Sequence, residues 1–387
     1  MASKILFLKY GGFSKINDSI LRILKDQYPE NEIEVFDAWE LNKHNTSIYH
    51  YIINIYFFFS EYGIQLILGP KKWKECFQWF FATSYISLQV NKKIKKLFKG
   101  KDYKFTIQTQ SIFNGKIDNI PNFIYTDHTT KTNLLYPNIK AKQYMRSKRF
   151  IQKSEIKAYQ DATMIFTFGN LVAGSLVSQY QIPKEKVVAI YSGSNVSVNI
   201  DDQLKKNFSK NILFVGVEWK RKGGEILLKV FEEVLKYHPD ASLTIVGCSP
   251  KNIKLPNCHV IGKIPLENVA EYYKFASIFC MPTLREPFGI AFVEAMNYKL
   301  PIIANNIGCL PDLVTNDYNG YLIDNNIADY TKVICSLFDN PIKCQQLGEN
   351  GFQYAQKRFK WEIVGHLMKQ HISCALGESE LKELNPT

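Results

Sequence analysis

Residues 281–296 read Met-Pro-Thr-Leu-Arg-Glu-Pro-Phe-Gly-Ile-Ala-Phe-Val-Glu-Ala-Met, and they decide how the chain folds around its most informative side chains. The apolar run 276–281 leads into this stretch, Pro287 and Gly289 interrupt it, and a helical pattern begins near Ile290. This order predicts a strand, a turn and a helix start. The first-turn amides of such a helix lie at the positive end of its dipole, which suits a phosphate group. The amides that we expect to contact it are those of Phe288, Gly289 and Ile290.

Two carboxylates flank this predicted anion site, with seven residues between Glu286 and Glu294. Carboxylates accept charge-assisted hydrogen bonds from pairs of hydroxyl groups. The pattern therefore favours a polyhydroxylated ligand, such as a sugar and a ribose on either side of a diphosphate. The alternative is an ordinary helix start, in which Glu286 is a cap and Glu294 is a first-turn acid stabilised by the helix dipole.

A second glycine-containing turn follows the apolar run 211–215, and it reads Gly-Val-Glu-Trp-Lys-Arg-Lys-Gly-Gly-Glu over residues 216–225. Cationic side chains and glycines where a strand ends and a helix begins favour a bound phosphate. Taken alone, the same segment is also typical of a helix start with solvated basic residues.

Together the two motifs resemble the retaining GT-B glycosyltransferases of family 4, most specifically over residues 205–365. Further positions follow the family pattern in order, namely Pro301, Ala304, Gly308, Asp312 and Gly320. The resemblance implies an α/β fold of GT-B type, with two Rossmann-like parallel-sheet domains facing a central cleft. It also implies that Glu286 lies by the donor sugar and that Glu294 holds the ribose of the nucleotide.

The resemblance extends to the diphosphate and the nucleobase. In the family, an arginine just after the first glycine and a lysine a few residues on hold the diphosphate. Lys222 matches that lysine, but Val217 stands at the place of the arginine, so Arg221 or Lys220 is the candidate for the missing charge. UDP, GDP and ADP sugars all remain compatible with the sequence. The turns that the resemblance places beside the base are Gly247 and Lys263 with Ile264.

The first half of the chain carries weaker motifs. Gly11 and Gly12 follow the first predicted strand, and their amides are candidates for contact with the diphosphate or the acceptor. His128 comes just after the strand predicted over 122–126, and the resemblance places a histidine at such a strand end facing the donor sugar. The alternative is a histidine held by Asp127 or by the nearby hydroxyl groups.

Apolar runs alternate with helical patterns along the chain, which predicts parallel sheets covered by helices. The first set of predicted strands is 4–8, 32–36, 104–108, 122–126 and 164–167. The second set is 187–190, 211–215, 242–246, 259–261, 277–281, 301–304 and 320–323. The predicted domains are an acceptor-binding domain over 1–195, a nucleotide-sugar-binding domain over 196–365, and a C-terminal tail over 366–387 that crosses back to the first domain.

Composition bounds these interpretations. A chain of 387 residues with 46% hydrophobic content is large enough for two cores. It contains no run of about 18 apolar residues, and its start is interpreted as a strand rather than a signal peptide. The eight cysteines form no Cys-x-x-Cys pair, which is typical of a reduced cytoplasmic protein.

The formal net charge of +12 calls for an anionic partner. Basic residues crowd two stretches, 92–104 and 140–157, and aromatic residues crowd 49–59 and 73–85. This combination suits peripheral binding to an anionic membrane surface, here the inner face of the cytoplasmic membrane. The alternative is a solvated basic helix face over an aromatic core. Nucleic acid is not expected, because no binding motif accompanies the basic residues.

The sequence lacks Asp-x-Asp, His-Glu-x-x-His, Walker and Gly-x-Ser-x-Gly motifs. We therefore expect no cofactor and no metal, with the diphosphate neutralised by Lys222, its basic neighbours and helix amides. Fixed positive groups stabilise the charge that develops as a nucleoside diphosphate departs. The expected function is transfer of a sugar from a nucleotide-diphosphate donor to a hydroxyl of a glycan or lipid-linked acceptor, with retention implied by the resemblance. The alternatives are a nucleotide-sugar epimerase or phosphorylase of the same fold, and a nucleotide-binding scaffold without catalysis.

Overall fold

A computed structural model describes residues 3–13, 15–43, 48–62, 80, 83–136, 154–195 and 208–378. The chain divides into two compact units. The first consists of Met1–Ile190 with Gly365–Thr387, and the second consists of Tyr191–Val364.

The first unit is built on a parallel sheet of six strands in the order β2-β1-β3-β4-β5-β6. These strands are β1 Lys4–Lys9, β2 Glu32–Asp37, β3 Phe105–Thr109, β4 Asn122–Thr126, β5 Met164–Thr167 and β6 Val187–Ala189. Every residue of β3, β4 and β5 is buried, as expected for central strands that helices cover on both faces.

The helices of this unit are α1 Ile16–Gln27, α2 Glu40–Lys43, α3 Ile48–Tyr62, α4 Ser84–Leu97, α5 Thr130–Leu134, α6 Ile156–Asp161 and α7 Asn170–Ser178. A 3₁₀ turn at Lys184–Lys186 precedes β6. An aromatic and aliphatic core joins α4 to β1, with Tyr85, Val90 and Ile94 on the helix and Phe98 just after its end.

The second unit repeats the architecture, with six parallel strands in the order β12-β11-β10-β7-β8-β9. They are β7 Asn211–Val215, β8 Ser242–Val246, β9 Cys258–Gly262, β10 Ile278–Met281, β11 Ile302–Asn305 and β12 Gly320–Ile323. The helices are α8 Gly224–Tyr237, α9 Leu266–Phe275, α10 Ile290–Asn297, α11 Leu310–Leu313, α12 Ile327–Asp339 and α13 Pro341–Arg358. The last helix, α14 Trp361–Ala375, begins in this unit and ends in the first.

The predicted α/β class with two parallel sheets is confirmed, but one strand was assigned to the wrong set. Residues 187–190 were expected with the second sheet, whereas β6 pairs in parallel with β5 of the first. The reason is connectivity. Only α7 and a short turn separate β5 from β6, and such a short crossover places a strand beside its predecessor.

None of the helices in the described part of the chain combines the length and the apolar character needed to cross a membrane.

Candidate functional site

The two phosphate-type motifs of the sequence meet in the second unit. Lys222 lies in the turn between β7 and α8, and Glu286 lies in the turn between β10 and α10. Their side chains are 13% and 6% exposed, and Lys222 Nζ lies 2.5 Å from Glu286 Oε2. The residues are 64 positions apart in the chain. They meet because β7 and β10 are neighbours in the sheet, so the loops at their carboxyl ends share one edge.

Backbone hydrogen bonds tie these two loops together. The Arg221 carbonyl accepts from the Leu284 amide at 2.8 Å, and Arg221 Nη1 donates to the Arg285 carbonyl at 2.8 Å. Arg221 Nε also lies 2.5 Å from Glu218 Oε2. The Arg221 guanidinium, a predicted diphosphate contact, therefore holds the β7–α8 loop against the β10–α10 loop. Lys220, the other candidate, is 85% exposed and lies 3.8 Å from Glu225.

Two glycines with positive φ shape these turns. Gly223 has φ +77°, and a Cβ atom there would lie 1.8 Å from the Pro282 carbonyl oxygen. Gly289 has φ +113° and is the N-cap of α10, which no described side chain caps. Phe288 is 3% exposed and packs edge-on against Phe359, which fixes the turn just before this helix start. The backbone at Gly289 and Ile290 is thus presented without a competing side-chain cap, as an anion site requires.

Glu294 lies in the second turn of α10 and is 4% exposed. Tyr273 Oη donates to Glu294 Oε2 at 3.0 Å, and the Asn195 amide also donates to this carboxylate. Burial raises the pKa of Glu294 to about 7, although both hydrogen bonds and the charge of Lys222 oppose the shift. The alternative of an ordinary first-turn acid is therefore wrong. Neither Tyr273 nor Asn195 was predicted. The sequence around Tyr273 indicates only an aromatic residue of the core, and Asn195 contacts Glu294 through its backbone, which no motif indicates.

The predicted base-contacting turns lie on the same edge of the sheet. The Gly247 amide donates to the Gly262 carbonyl at 2.7 Å, and the Gly216 amide donates to the Val246 carbonyl at 2.9 Å. A Cβ atom on Gly247, at φ +93°, would lie 2.9 Å from the Gly216 carbonyl oxygen. After these turns, Lys263 is exposed and Ile264 is half-buried. The loops after β7, β8 and β9 therefore stand side by side.

The candidates of the first unit lie at the ends of β1 and β4. The Gly11 amide donates to Asp37 Oδ1 at 2.9 Å, so it holds its own loop, while Gly12 is exposed. His128 Nδ1 lies 2.5 Å from Asp127 Oδ1, and the ring is 35% exposed. The expected alternative contact with Asp127 is thus present, and it orients a ring that solvent still reaches.

Within the described ranges, no three His, Cys, Asp or Glu side chains come together as a group able to hold a metal ion.

The pKa of Glu294 gives a testable dependence of stability on pH. Between about pH 4.5 and 7 the folded chain holds a proton that the unfolded chain has released, so this contribution to stability is lost as pH rises through about 7. Denaturant unfolding measures the free energy of unfolding of Glu294→Gln and of the native chain at each pH. We expect the difference, variant minus native, to increase by about 2 to 3 kcal/mol from pH 5 to pH 8. A pH-independent difference would mean that the carboxylate is solvated in the folded chain.

Two Rossmann-like units, each with a six-stranded parallel sheet, make up the arrangement known as the GT-B fold. Sucrose-phosphate synthase from Thermosynechococcus elongatus has this fold with a TM-score of 0.65 and 15% identity, covering 97% of this chain and all (100%) of the other. HepE of Anabaena, in complex with UDP and glucose, has a TM-score of 0.61 and 15% identity, and the match covers 96% of this chain and 99% of HepE. WaaG, a glycosyltransferase involved in lipopolysaccharide biosynthesis, has a TM-score of 0.57 and 12% identity, and the match covers 95% of this chain and 99% of WaaG.

Residues 196–354 match the family described as glycosyl transferases group 1. An uncharacterised glycosyltransferase of Methanocaldococcus jannaschii is 29% identical over 189 residues, covering 46% of this chain and 51% of the relative. One of Haemophilus influenzae is 36% identical over 152 residues, covering 36% and 42%. The D-inositol 3-phosphate glycosyltransferase of Corynebacterium kroppenstedtii is 30% identical over 168 residues, covering 39% and 37%. The chain spans about half the length of the curated relatives that it matches.

Proposed function

We propose that this protein transfers a sugar from a nucleotide-diphosphate donor to a hydroxyl group of an acceptor. The observation that carries the proposal is the buried Lys222–Glu286 pair beside the uncapped start of α10, with the buried Glu294 one turn further along. Cation, backbone amides and two carboxylates at one sheet edge match the phosphate, ribose and sugar of such a donor.

Each group of this site has a proposed role. Lys222 and the amides around Gly289 hold the diphosphate, Glu294 accepts hydrogen bonds from the ribose, and Glu286 contacts the donor sugar. Because Lys222 is paired with Glu286, a diphosphate that binds there shares the ammonium group with this carboxylate. The resemblance to family 4 assigns His128 of the first unit to the reaction centre as well.

The chemistry follows from these fixed charges. As the bond to the leaving diphosphate breaks, negative charge grows on the phosphate while the sugar becomes cationic. A positive group fixed before the reaction stabilises that charge without reorganisation, so we propose that transfer needs no metal. Retention of anomeric configuration is proposed on the resemblance to family 4.

The donor and acceptor remain classes rather than compounds. UDP is the first nucleotide to test, because HepE was solved with UDP and glucose, and a mutant of S. aureus TarM with fondaparinux, alpha-GlcNAc-glycerol and UDP. GDP and ADP sugars stay in the panel, since a GDP-mannose-dependent mannosyltransferase of Corynebacterium glutamicum is 28% identical over 161 residues. That relative is named as a mannosyltransferase of a monoacylated phosphatidylinositol monomannoside, which supports a glycan or lipid-linked acceptor here.

A cytoplasmic location at an anionic membrane surface is part of the proposal. Five large side chains of α3 are between 55% and 78% exposed, namely Ile48, Tyr49, Tyr51, Ile52 and Tyr56. Helix α4, which packs beside α3, exposes Lys92, Lys95 and Lys96. Apolar rings next to lysines suit an anionic lipid interface. The basic residues between 140 and 153 and the aromatic residues between 73 and 79 lie outside the described residues.

The direct test measures release of nucleoside diphosphate from a panel of UDP, GDP and ADP sugars with cell-extract acceptors and without added metal. Consumption of one donor, dependent on an acceptor and lost in Glu286→Ala, supports transfer. Consumption that needs no acceptor alcohol favours the epimerase or phosphorylase alternative. Binding of donors without consumption favours the scaffold.

Val217 allows a gain-of-function prediction. Its side chain is 71% exposed in the β7–α8 turn, where the family has an arginine that contacts the diphosphate. We expect Val217→Arg to lower the KM for the donor about 5-fold, because a charge-assisted hydrogen bond to phosphate contributes about 1 kcal/mol at a partly exposed site. Val217→Gln, with a polar but neutral side chain, is the control. Equal KM values for the two variants would show that the diphosphate lies elsewhere.

A further inference from the structure

Glu155 of the first unit is a buried carboxylate that the proposed chemistry does not use. It lies immediately before α6 and is 1% exposed, and no cationic side chain of the described residues pairs with it. A carboxylate removed from water in this way needs several hydrogen-bond donors. Three groups donate to it, namely the Thr130 amide at 2.9 Å, Ser111 Oγ at 3.2 Å and Tyr180 Oη. Tyr159 Oη lies 3.4 Å from the carboxylate, but its single proton makes the shorter bond, 2.9 Å, to Ser111 Oγ.

Two of these donors connect the carboxylate to the helix that follows His128. The Thr130 amide belongs to the first turn of α5 and donates to Glu155, while the next amide, of Lys131, donates to Tyr180 Oη at 3.1 Å. The hydroxyl of Tyr180 in turn donates to Glu155. Burial and the charge of Glu155 raise the pKa of Tyr180, so its hydroxyl keeps the proton that it donates. Glu155 and Tyr180 therefore form one clamp on two consecutive amides.

The clamp lies next to His128 in the chain. The His128 carbonyl accepts from Thr126 Oγ1 at 2.8 Å on one side, and Thr130 is bound to Glu155 on the other. The turn between β4 and α5 is thus fixed at both ends, which leaves the His128 ring, oriented by Asp127, little freedom to move.

We propose that Glu155 is a positioning residue, which acts through the Thr130 and Lys131 amides to hold His128 in the place that sugar transfer requires. The proposal rests on the proposed function. Positioning matters because a displacement of about 1 Å at a reacting group costs on the order of 100-fold in rate. Binding of the donor is assigned to the second unit, so loss of the clamp should lower kcat and leave the KM for the donor unchanged.

The two tyrosines beside Glu155 offer a matched pair of variants. Tyr180→Phe removes a hydroxyl that contacts both Glu155 and the Lys131 amide. Tyr159→Phe removes a buried hydroxyl of the same kind, which donates to Ser111 Oγ at 2.9 Å and forms no hydrogen bond to α5 in the described part of the chain. We expect Tyr180→Phe and Glu155→Gln to lower kcat about 10-fold or more, with Tyr159→Phe close to the native chain. Equal kcat values for the two tyrosine variants would overturn the proposal.

A double variant separates positioning from general damage. If Glu155 acts through His128, Glu155→Gln adds no further loss of kcat in a His128→Ala background, because effects of residues that act as a unit are not additive. Fully additive losses would show that Glu155 supports the fold alone. Should the native chain consume no donor, the proposed function fails, and the imidazole NMR signal of His128, assigned by its absence in His128→Ala, still tests the clamp. A shift of that signal in Tyr180→Phe but not in Tyr159→Phe supports positioning, and no shift in either overturns it.

Discussion

Replacing Lys222 by methionine is expected to lower kcat/KM for the donor by about 100- to 1,000-fold, the loss typical of removing one preorganised group that stabilises transition-state charge. The Lys222 side chain is only 13% exposed, so a cation from the solvent does not readily take its place. Arg221, the nearest cationic alternative in the loop, is engaged with Glu218 and the Arg285 carbonyl. Methionine keeps most of the volume of the lysine stem, which limits the change to the loss of charge.

The same substitution has a second consequence, because it leaves Glu286 buried without its cation. Breaking a buried ion pair from one side costs about 3 to 5 kcal/mol of stability. The double variant Lys222→Met with Glu286→Gln removes both charges and should recover much of that stability while remaining inactive. Stability and activity therefore separate in the double variant, and denaturant unfolding measured beside donor turnover tests both.

A lysine outside the site provides the control. Lys229 is exposed on α8 of the same unit, and Lys229→Met should leave donor turnover within about 2-fold of the native chain. If Lys222→Met retains more than about a tenth of the native kcat/KM, the diphosphate is neutralised by other groups, and the role assigned to the Lys222–Glu286 pair is wrong.

The sequence predicts the strands, turns and helices around the site, but it does not predict which of the turns contact one another. The turn at 282–289 was predicted because proline and glycine interrupt an apolar run, and the helix start because its periodicity changes there. The Lys222–Glu286 contact depends on β7 and β10 being adjacent, although β8 and β9 intervene in the chain. Strand order is a property of the packed sheet, so a single sequence does not encode this contact in any local pattern.

Hydrogen bonds made by the backbone are equally hidden. The donors are the backbone amides of Asn195, to Glu294, and of Thr130, to Glu155. Because almost every residue has a backbone amide, no sequence motif marks these donors. The three-residue strand β6 was assigned to the wrong set for a related reason, since its apolar pattern is the same whichever sheet it joins. What fixes such features is the connection length and the approach of distant loops.

The two buried glutamates also differ in a way that spacing does not show. Glu286 is paired with a cation, whereas Glu294 faces the hydroxyl of Tyr273 and a backbone amide. The first is therefore electrostatically matched before a ligand arrives, and the second carries the raised pKa. Ribose hydroxyls that donate to Glu294 would favour its ionised form, so donor binding should release protons near pH 7.

Gly223→Ala is expected to destabilise the second unit by about 3 to 5 kcal/mol, because backbone strain at positive φ and steric overlap act together. The added Cβ atom would lie 1.8 Å from the Pro282 carbonyl oxygen, at a residue with φ +77°. That carbonyl is held from its other side, since Asn305 Nδ2 donates to it at 3.2 Å and Asn305 is itself bound by Tyr330. Neither loop can move away cheaply.

The matched control for this substitution is Gly174→Ala in α7, where no atom of the described residues outside the neighbouring helix backbone lies within 4 Å of the added Cβ. A glycine in the middle of a helix is replaced by alanine with a gain of about 0.5 to 1 kcal/mol, so the two variants should differ in sign as well as in size. Denaturant unfolding followed by circular dichroism measures both. Because Gly223 adjoins Lys222, any folded Gly223→Ala protein should also show a raised KM for the donor. A Gly223→Ala protein as stable as the control would mean that the β7–α8 and β10–α10 loops separate freely, and the preorganised charge on which the proposed catalysis depends would then be absent.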